Sequence, residues 1–117
     1  LAGGSPVTDL TGKTSLGEMI ELLRLSRAVI SNDSGPLHAA AALGIKIFSF
    51  FGPTDPAKTG PYGNDTTVYQ ANLDCIKCLR RKCKTQGKLK CHLLDATVIA
   101  QEIVGYLSNK KSAPAAD

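Results

Sequence analysis

The stretch that decides the fold is Val29-Ile30-Ser31-Asn32-Asp33-Ser34-Gly35-Pro36-Leu37-His38, continued by Ala39-Ala40-Ala41-Ala42-Leu43-Gly44. A short apolar run ends at a polar loop, and the loop leads directly into a run of alanines. Ser34 and Gly35 suit a helix cap, and Pro36 suits the first helical position, where its missing N–H would have no partner. The alanines favour a helix, and Gly44 suits its left-handed end. The stretch therefore predicts a strand, a loop and a helix over 35–43.

The start of this predicted helix is a candidate anion site. The first N–H groups of a helix have no partner within it, and the helix dipole favours a negative charge there. Asp33 and His38 flank the position, so that a ligand could meet a carboxylate, backbone donors and an imidazole together. Helix capping and turn formation would explain Asp33, Ser34 and Gly35 from local physics alone.

Elements on either side of this stretch follow from hydrophobic periodicity and cap residues. Ser15 and Glu18 have the spacing of a capping box and begin a helix over 16–26. The run 45–51 is β-branched, aromatic and nearly all apolar, as expected of a parallel strand covered on both faces. We also predict a short buried strand over 28–31 and a further strand over 66–69. The Gly- and Pro-containing segment 58–64 is predicted to be a loop.

A last helix is predicted after Asp95, with an apolar stripe made of Val98, Ile99, Ile103, Val104 and Leu107. Residues 108–117 are small and polar, and we expect a disordered tail.

This order of elements predicts an α/β domain over 1–107, a three-layer Rossmann-like fold with a parallel sheet. Ligands of such sheets sit at the carboxyl ends of the strands. The loops 33–36 and 52–56 both follow strands, so we expect them side by side at one edge.

The composition narrows the classes of function. The chain has 117 residues and a net charge of +4, with three Tyr, three Phe and no Trp. It has no apolar run of about 18 residues and no signal peptide pattern. The few aromatic residues argue against a base-stacking surface for nucleic acid. The positive charge is concentrated in the Cys-rich basic loop over 72–92, which contains no acid after Asp74 and whose basic residues are Lys77, Arg80, Arg81, Lys82, Lys84, Lys88 and Lys90.

Three motifs together resemble the heptosyltransferase family. They are Asn-Asp-Ser-Gly-Pro-Leu-His at 32–38, Phe-Phe-Gly-Pro-Thr-Asp-Pro at 50–56 and Thr-Gly-Pro-Tyr-Gly at 59–63. The likeness covers about residues 9–107. It implies the C-terminal, nucleotide-sugar-binding half of a two-domain GT-B glycosyltransferase that moves heptose from ADP-heptose to the lipopolysaccharide inner core.

The resemblance also implies roles for the loop residues. Asp33 would hold the sugar without acting as the base, and Ser34, Gly35 and His38 would face the diphosphate. Three residues of the second loop, Gly52, Thr54 and Asp55, would line the same cleft. The acceptor domain with the catalytic base, a lysine for the phosphates and an acid for the ribose would precede Leu1. We therefore expect a fragment that transfers nothing alone.

The same resemblance implies partners and a location. The donor is ADP-heptose, the acceptor is a lipid-anchored core oligosaccharide, and no nucleic acid partner is expected. The chemistry requires no metal. The enzyme would work in the cytoplasm, at the cytoplasmic face of the bacterial inner membrane, where the basic loop could contact anionic lipid.

The cysteines leave several hypotheses open. Cys75, Cys78, Cys83 and Cys91 could hold a structural Zn²⁺, with basic neighbours favouring the thiolates. Their spacing is not the regular double Cys-x2-Cys pattern, and reduced thiols or crosslinks formed on oxidation are alternatives. A cytosolic setting argues against stable disulfides. In each case we expect the loop to be structural and distant from the chemistry.

Two other functions remain as alternatives. A GT-B enzyme for another nucleotide sugar would share these motifs, because base and ribose contacts lie partly outside the chain. A nucleic-acid-binding module built on a zinc-held basic loop would account for residues 75–91, and its signature would be a steep salt dependence of affinity. It would leave the loop Asp33–His38 unexplained.

Overall fold

The computed structural model describes residues 6–61, 63, 65–71, 73, 79, 91 and 93–109. Within these ranges helices and strands alternate along the chain, as the sequence predicts. Their bounds are α1 Leu16–Leu25, β1 Ala28–Asn32, α2 Gly35–Ala42, β2 Lys46–Phe51, α3 Pro56–Thr59, β3 Thr66–Gln70 and α4 Ala96–Asn109.

The three described strands form one parallel sheet in the order β1-β2-β3. Asn32, the last residue of β1, pairs with Phe50, and Phe50 also pairs with Tyr69 of β3. The carboxyl ends of the strands therefore lie at one edge of the sheet, as predicted for the α/β class.

One face of the sheet is covered by α2. Leu37 and Ala40 of this helix form a buried cluster with Ile47 and Phe51 of β2. The small alanine side chains let the helix lie close to the strands, and Gly44 ends the connection with a φ of +72°. The predicted helix, loop and left-handed glycine are confirmed, although the helix ends at Ala42 rather than at Leu43.

The other face is covered by α4, which completes the three layers. Ile99 and Ile103 pack on Phe48, and the rings of Phe48 and Tyr106 meet edge to face with centroids 5.6 Å apart. Val98 and Val104 were expected in the same apolar stripe, but they are 49% and 60% exposed. The prediction was wrong for them because residues one position from Ile99 and Ile103 point about 100° away around a helix.

At its amino-terminal edge the sheet carries a half-buried cation, Lys46. The Nζ of Lys46 donates to Thr67 Oγ1 at 2.9 Å and lies 3.3 Å from a carboxylate oxygen of Asp65. It also lies 5.0 Å from the centroid of the Phe48 ring. The contacts join β2 to β3 at the edge opposite to the predicted loops.

Helix α1 begins at the predicted capping box. Ser15 Oγ accepts from the Glu18 N–H at 3.2 Å, and Glu18 Oε1 accepts from the Ser15 N–H at 3.1 Å. The helix ends at Leu25, one residue before the predicted end, since Ser26 has an extended backbone. Leu23 packs against the α2 cluster, whereas Leu16 is 72% exposed.

Strand β1 was predicted to be buried, and this was wrong. Ile30 is 58% exposed, and no residue of the strand is classed as buried. In the described part of the chain β1 pairs with β2 alone, so it is the edge of the sheet.

The predictions for the loop 58–64 and for the C-terminal tail need correction. The predicted loop 58–64 begins inside a short helix, α3, that starts at Pro56 and ends at Thr59. The predicted disordered tail begins too early, since Ser108 and Asn109 belong to α4; residues 110–117 lie outside the described ranges. None of the described helices combines the length and the apolar character needed to cross a membrane.

Candidate functional site

Two loops meet at the carboxyl edge of the sheet, because β1 and β2 are parallel neighbours. The loop after β1 contains Asp33 and Ser34, and the loop after β2 runs from Gly52 to Asp55. A cleft of about 700 Å³ opens between these loops and the start of α4. Its described lining is Ile30, Asn32, Asp33, Phe50, Phe51, Gly52, Pro53, Thr54, Cys91, Leu94, Ala96, Ile99, Ala100 and Ile103.

Asp33 is the one formally charged side chain among the described residues that line this cleft. It is half-buried, and its Oδ2 accepts a hydrogen bond from Thr59 Oγ1 at 3.1 Å. The carboxylate thus lies where the two loops meet, with one oxygen held by the protein. Its second oxygen, Oδ1, accepts no hydrogen bond from the described residues.

Ser34 is the N-cap of α2, but its side chain does not cap the helix. Its Oγ instead lies 3.2 Å from Ser31 Oγ and donates to the carbonyl of Asn32 at 3.3 Å. Pro36 has no N–H, and the Leu37 N–H donates to the Ser34 carbonyl at 3.1 Å. The serine hydroxyl therefore leaves the start of α2 accessible to a ligand, and Gly35 there is exposed.

His38 lies on the first turn of α2 and is exposed. Together with Ser34 and Gly35 it lies outside the lining of the cleft, on the neighbouring helix start. The structure thus brings Asp33, Gly52 and Thr54 together in the cleft. The candidate anion-binding residues form a second, adjacent surface.

The second loop is held by a side chain that the sequence analysis missed. Gln70 Nε2, at the end of β3, donates to the carbonyl of Gly52 at 3.0 Å and to that of Thr54 at 2.8 Å. Between them, the carbonyl of Pro53 accepts from the Leu79 N–H at 3.0 Å. A polar residue that ends an otherwise apolar or β-branched strand was the signal that could have revealed Gln70.

Asp55 has a local structural role, as its position before a proline suggests. It is the N-cap of α3, and its Oδ1 accepts from the Ala57 N–H at 3.1 Å. It is half-buried and does not line the cleft. A direct contact between this carboxylate and a ligand stays a prediction.

The wall of the cleft opposite the loops is apolar and aromatic. Phe50 stacks on Tyr69 with centroids 5.4 Å apart, and the Tyr69 hydroxyl donates to Glu102 at 2.7 Å. Burial disfavours the phenolate, and together with the bond to the Glu102 carboxylate it raises the pKa of Tyr69 to about 12. Tyr69 therefore remains a neutral donor at physiological pH and ties α4 to β3.

Cys75, Cys78 and Cys83 lie outside the described residues, so the zinc hypothesis stays a prediction. Cys91 is described, half-buried, and lines the cleft. No cluster of three or more potential metal ligands occurs within the part of the chain that the structure describes. The expectation that this loop lies far from the site was wrong for Leu79 and Cys91, which contact the second loop and the cleft.

Comparison with known proteins decides the family. The family model described as glycosyltransferase family 9 (heptosyltransferase) matches residues 1–89. The chain belongs to this family. The match includes both loops of the cleft and favours the glycosyltransferase hypothesis over a nucleic-acid-binding module.

Individual relatives agree with the family. Lipopolysaccharide heptosyltransferase 1 of Pseudomonas aeruginosa is 36% identical over 86 residues, which are 74% of this chain and 24% of the relative. Lipooligosaccharide heptosyltransferase 2 of Haemophilus influenzae is 40% identical over 90 residues, 76% of this chain and 25% of the relative. The chain thus spans about a quarter of the length of these curated relatives. No solved structure matches it significantly.

Proposed function

We propose that this family 9 chain is the donor-binding part of a heptosyltransferase that takes heptose from ADP-heptose. The observation that carries the proposal is the position of Asp33, a half-buried carboxylate between the two loops and beside the start of α2. A nucleotide sugar has both chemical groups that this surface could bind, a diphosphate and a ring with several hydroxyls.

In this proposal the diphosphate binds at the start of α2, where backbone N–H groups and the helix dipole favour anions. These donors would also stabilise the charge that develops on ADP as it leaves. The Asp33 carboxylate accepts hydrogen bonds from sugar hydroxyls, and Gly52, Thr54 and Asp55 belong to the loop that borders the sugar. His38, exposed on the first turn of α2, contacts the phosphates without acting as the base.

The rest of the reaction would need parts of the enzyme beyond these residues. We propose a GT-B arrangement in which a second domain supplies the catalytic base and binds a lipid-anchored core oligosaccharide as acceptor. The enzyme would work in the cytoplasm at the inner membrane, with the basic loop 72–92 against anionic lipid. The transfer itself would require no metal, and a zinc held by the four cysteines would be structural.

A titration followed by heteronuclear NMR tests the donor-binding role. We expect ADP to shift the amide signals of Ser34, Gly35 and His38 in the chain. ADP-heptose should shift the same signals and additionally perturb Asp33, Thr54 and their neighbours. In Asp33→Ala the part of the response that depends on the sugar should be lost, while the response to ADP remains.

The control is Asp9→Ala, which removes an exposed carboxylate that forms a local hydrogen bond with the N–H of the nearby Thr11. It should leave both titrations unchanged. An absence of shifts in the loop 33–38, both in this chain and in the complete protein that carries it, would contradict the proposal. Equal shifts with other nucleotide sugars would favour the alternative donor.

A further inference from the structure

One side chain outside the predicted site contacts its central carboxylate. Thr59, the last residue of α3, reaches across the edge of the sheet to Asp33, which precedes it by 26 residues. Its Oγ1 lies 3.1 Å from Asp33 Oδ2 and 3.2 Å from the carbonyl oxygen of Asp55. A hydroxyl has one proton to donate, so the two acceptors compete for it.

The backbone hydrogen bonds of α3 make the Asp55 carbonyl the weaker of these two acceptors. The Asp55 carbonyl already accepts the N–H groups of Lys58 and Thr59, each at 2.9 Å. A carbonyl oxygen has two lone pairs, and both are therefore in use. The Asp33 carboxylate is charged and forms the stronger bond. The proton of Thr59 is thus directed towards Asp33.

The backbone that carries Thr59 is fixed on both sides. Asp55 caps α3, and Pro56 occupies its first turn with a fixed φ. The Gly60 N–H donates to the Pro56 carbonyl at 2.8 Å, and a Cβ at Gly60 would lie only 2.2 Å from that oxygen. A side chain at position 60 would therefore open this turn. The backbone position from which the Thr59 hydroxyl reaches Asp33 is therefore set by α3 itself.

We propose that Thr59 is a positioning residue, whose hydroxyl holds Oδ2 of Asp33 so that Oδ1 is presented to the donor sugar. This inference rests on the proposed function and adds a residue to it. A carboxylate fixed in its binding orientation loses less rotational freedom when the sugar binds. Thr59 acts through Asp33, so it should affect recognition of the sugar and leave recognition of the nucleotide unchanged.

The test is calorimetric binding of ADP and of ADP-heptose to the complete protein that carries this chain, compared among variants. Thr59→Val keeps the shape of the side chain and removes the hydroxyl. We expect it to weaken ADP-heptose binding about fivefold, because the released Asp33 carboxylate must then lose its rotational freedom when the sugar binds, and to change ADP binding by less than about twofold. Thr59→Ser retains the hydroxyl and should restore the parent affinity.

Thr67→Val is the matched control. It makes the same chemical change at a threonine with a side-chain hydrogen bond of 2.9 Å, at the opposite edge of the sheet. It should leave the ratio of the Kd values for ADP and ADP-heptose unchanged. In Asp33→Ala, adding Thr59→Val should change that ratio no further, because the hydroxyl has lost the group that it orients.

The outcomes separate the two proposals. If Asp33→Ala leaves the ratio of the Kd values unchanged, the proposed function of the site fails. If Asp33→Ala changes the ratio and Thr59→Val does not, only the positioning role is overturned. The role is also overturned if Thr59→Val weakens ADP and ADP-heptose equally, since that result marks a structural effect on the whole loop.

Discussion

At the scale of single residues, the shape of the cleft depends on side chains that do not line it. Asp33 lies on one loop and Thr54 on another, and each is placed by a residue from a third position in the sequence. Thr59 bonds to the carboxylate of Asp33, and Gln70 bonds to the carbonyls on both sides of Pro53. The geometry of the cleft is therefore set by hydrogen bonds between elements that are distant in sequence.

Gln70 provides a test of how the second loop is held. Gln70→Leu removes the side-chain amide that donates to the carbonyls of Gly52 and Thr54. Because these half-buried carbonyls would lose that donor, we expect a loss of about 1–3 kcal/mol in the free energy of unfolding. Urea unfolding of the chain measures it. Gln101→Leu makes the same change at an exposed position of α4 and should cost less than about 0.5 kcal/mol. Equal effects of the two changes would show that Gln70 does not hold the loop.

At the scale of secondary-structure elements, local sequence rules account for the starts of α1 and α4. The capping box at Ser15 forms as predicted, and Asp95 Oδ1 accepts from the N–H groups of Thr97 and Val98 at 3.0 and 3.2 Å. These interactions join residues at most three positions apart, so the sequence shows them directly. The short helix α3 was missed because four residues are too few to show a periodicity.

Replacing a glycine with alanine should change the free energy of unfolding in opposite directions at two positions. Gly44 has a φ of +72°, so Gly44→Ala should lower the free energy of unfolding by about 1 kcal/mol. Gly105 lies inside α4, and a Cβ there meets no atom within 4 Å beyond the helix's own backbone. Gly105→Ala should raise the free energy of unfolding by about 0.5–1 kcal/mol. Denaturation of the two variants checks this, and a destabilising Gly105→Ala would contradict the open environment at α4.

At the scale of the whole molecule, binding a donor and transferring its sugar would place different demands on the chain. The described residues form a three-stranded parallel sheet with a cleft at one edge, and the chain spans about a quarter of the length of its curated relatives. We therefore expect this chain alone to transfer no heptose from ADP-heptose to a core oligosaccharide acceptor. A radiolabelled transfer assay measures this, with the complete protein as the positive control. Transfer by the chain alone would mean that it contains the base and the acceptor site.

The sequence by itself determined the α/β class, the three layers and the edge of the sheet at which the two loops meet. These features could be predicted because strand periodicity, the positions of Pro and Gly, and the loop motifs each depend on only a few neighbouring residues. Only the tertiary structure decided that Ile30 is exposed and that Thr59 meets Asp33. Exposure and contact at these positions depend on which elements pack together, and no local pattern in the sequence encodes a hydrogen bond between residues 26 positions apart.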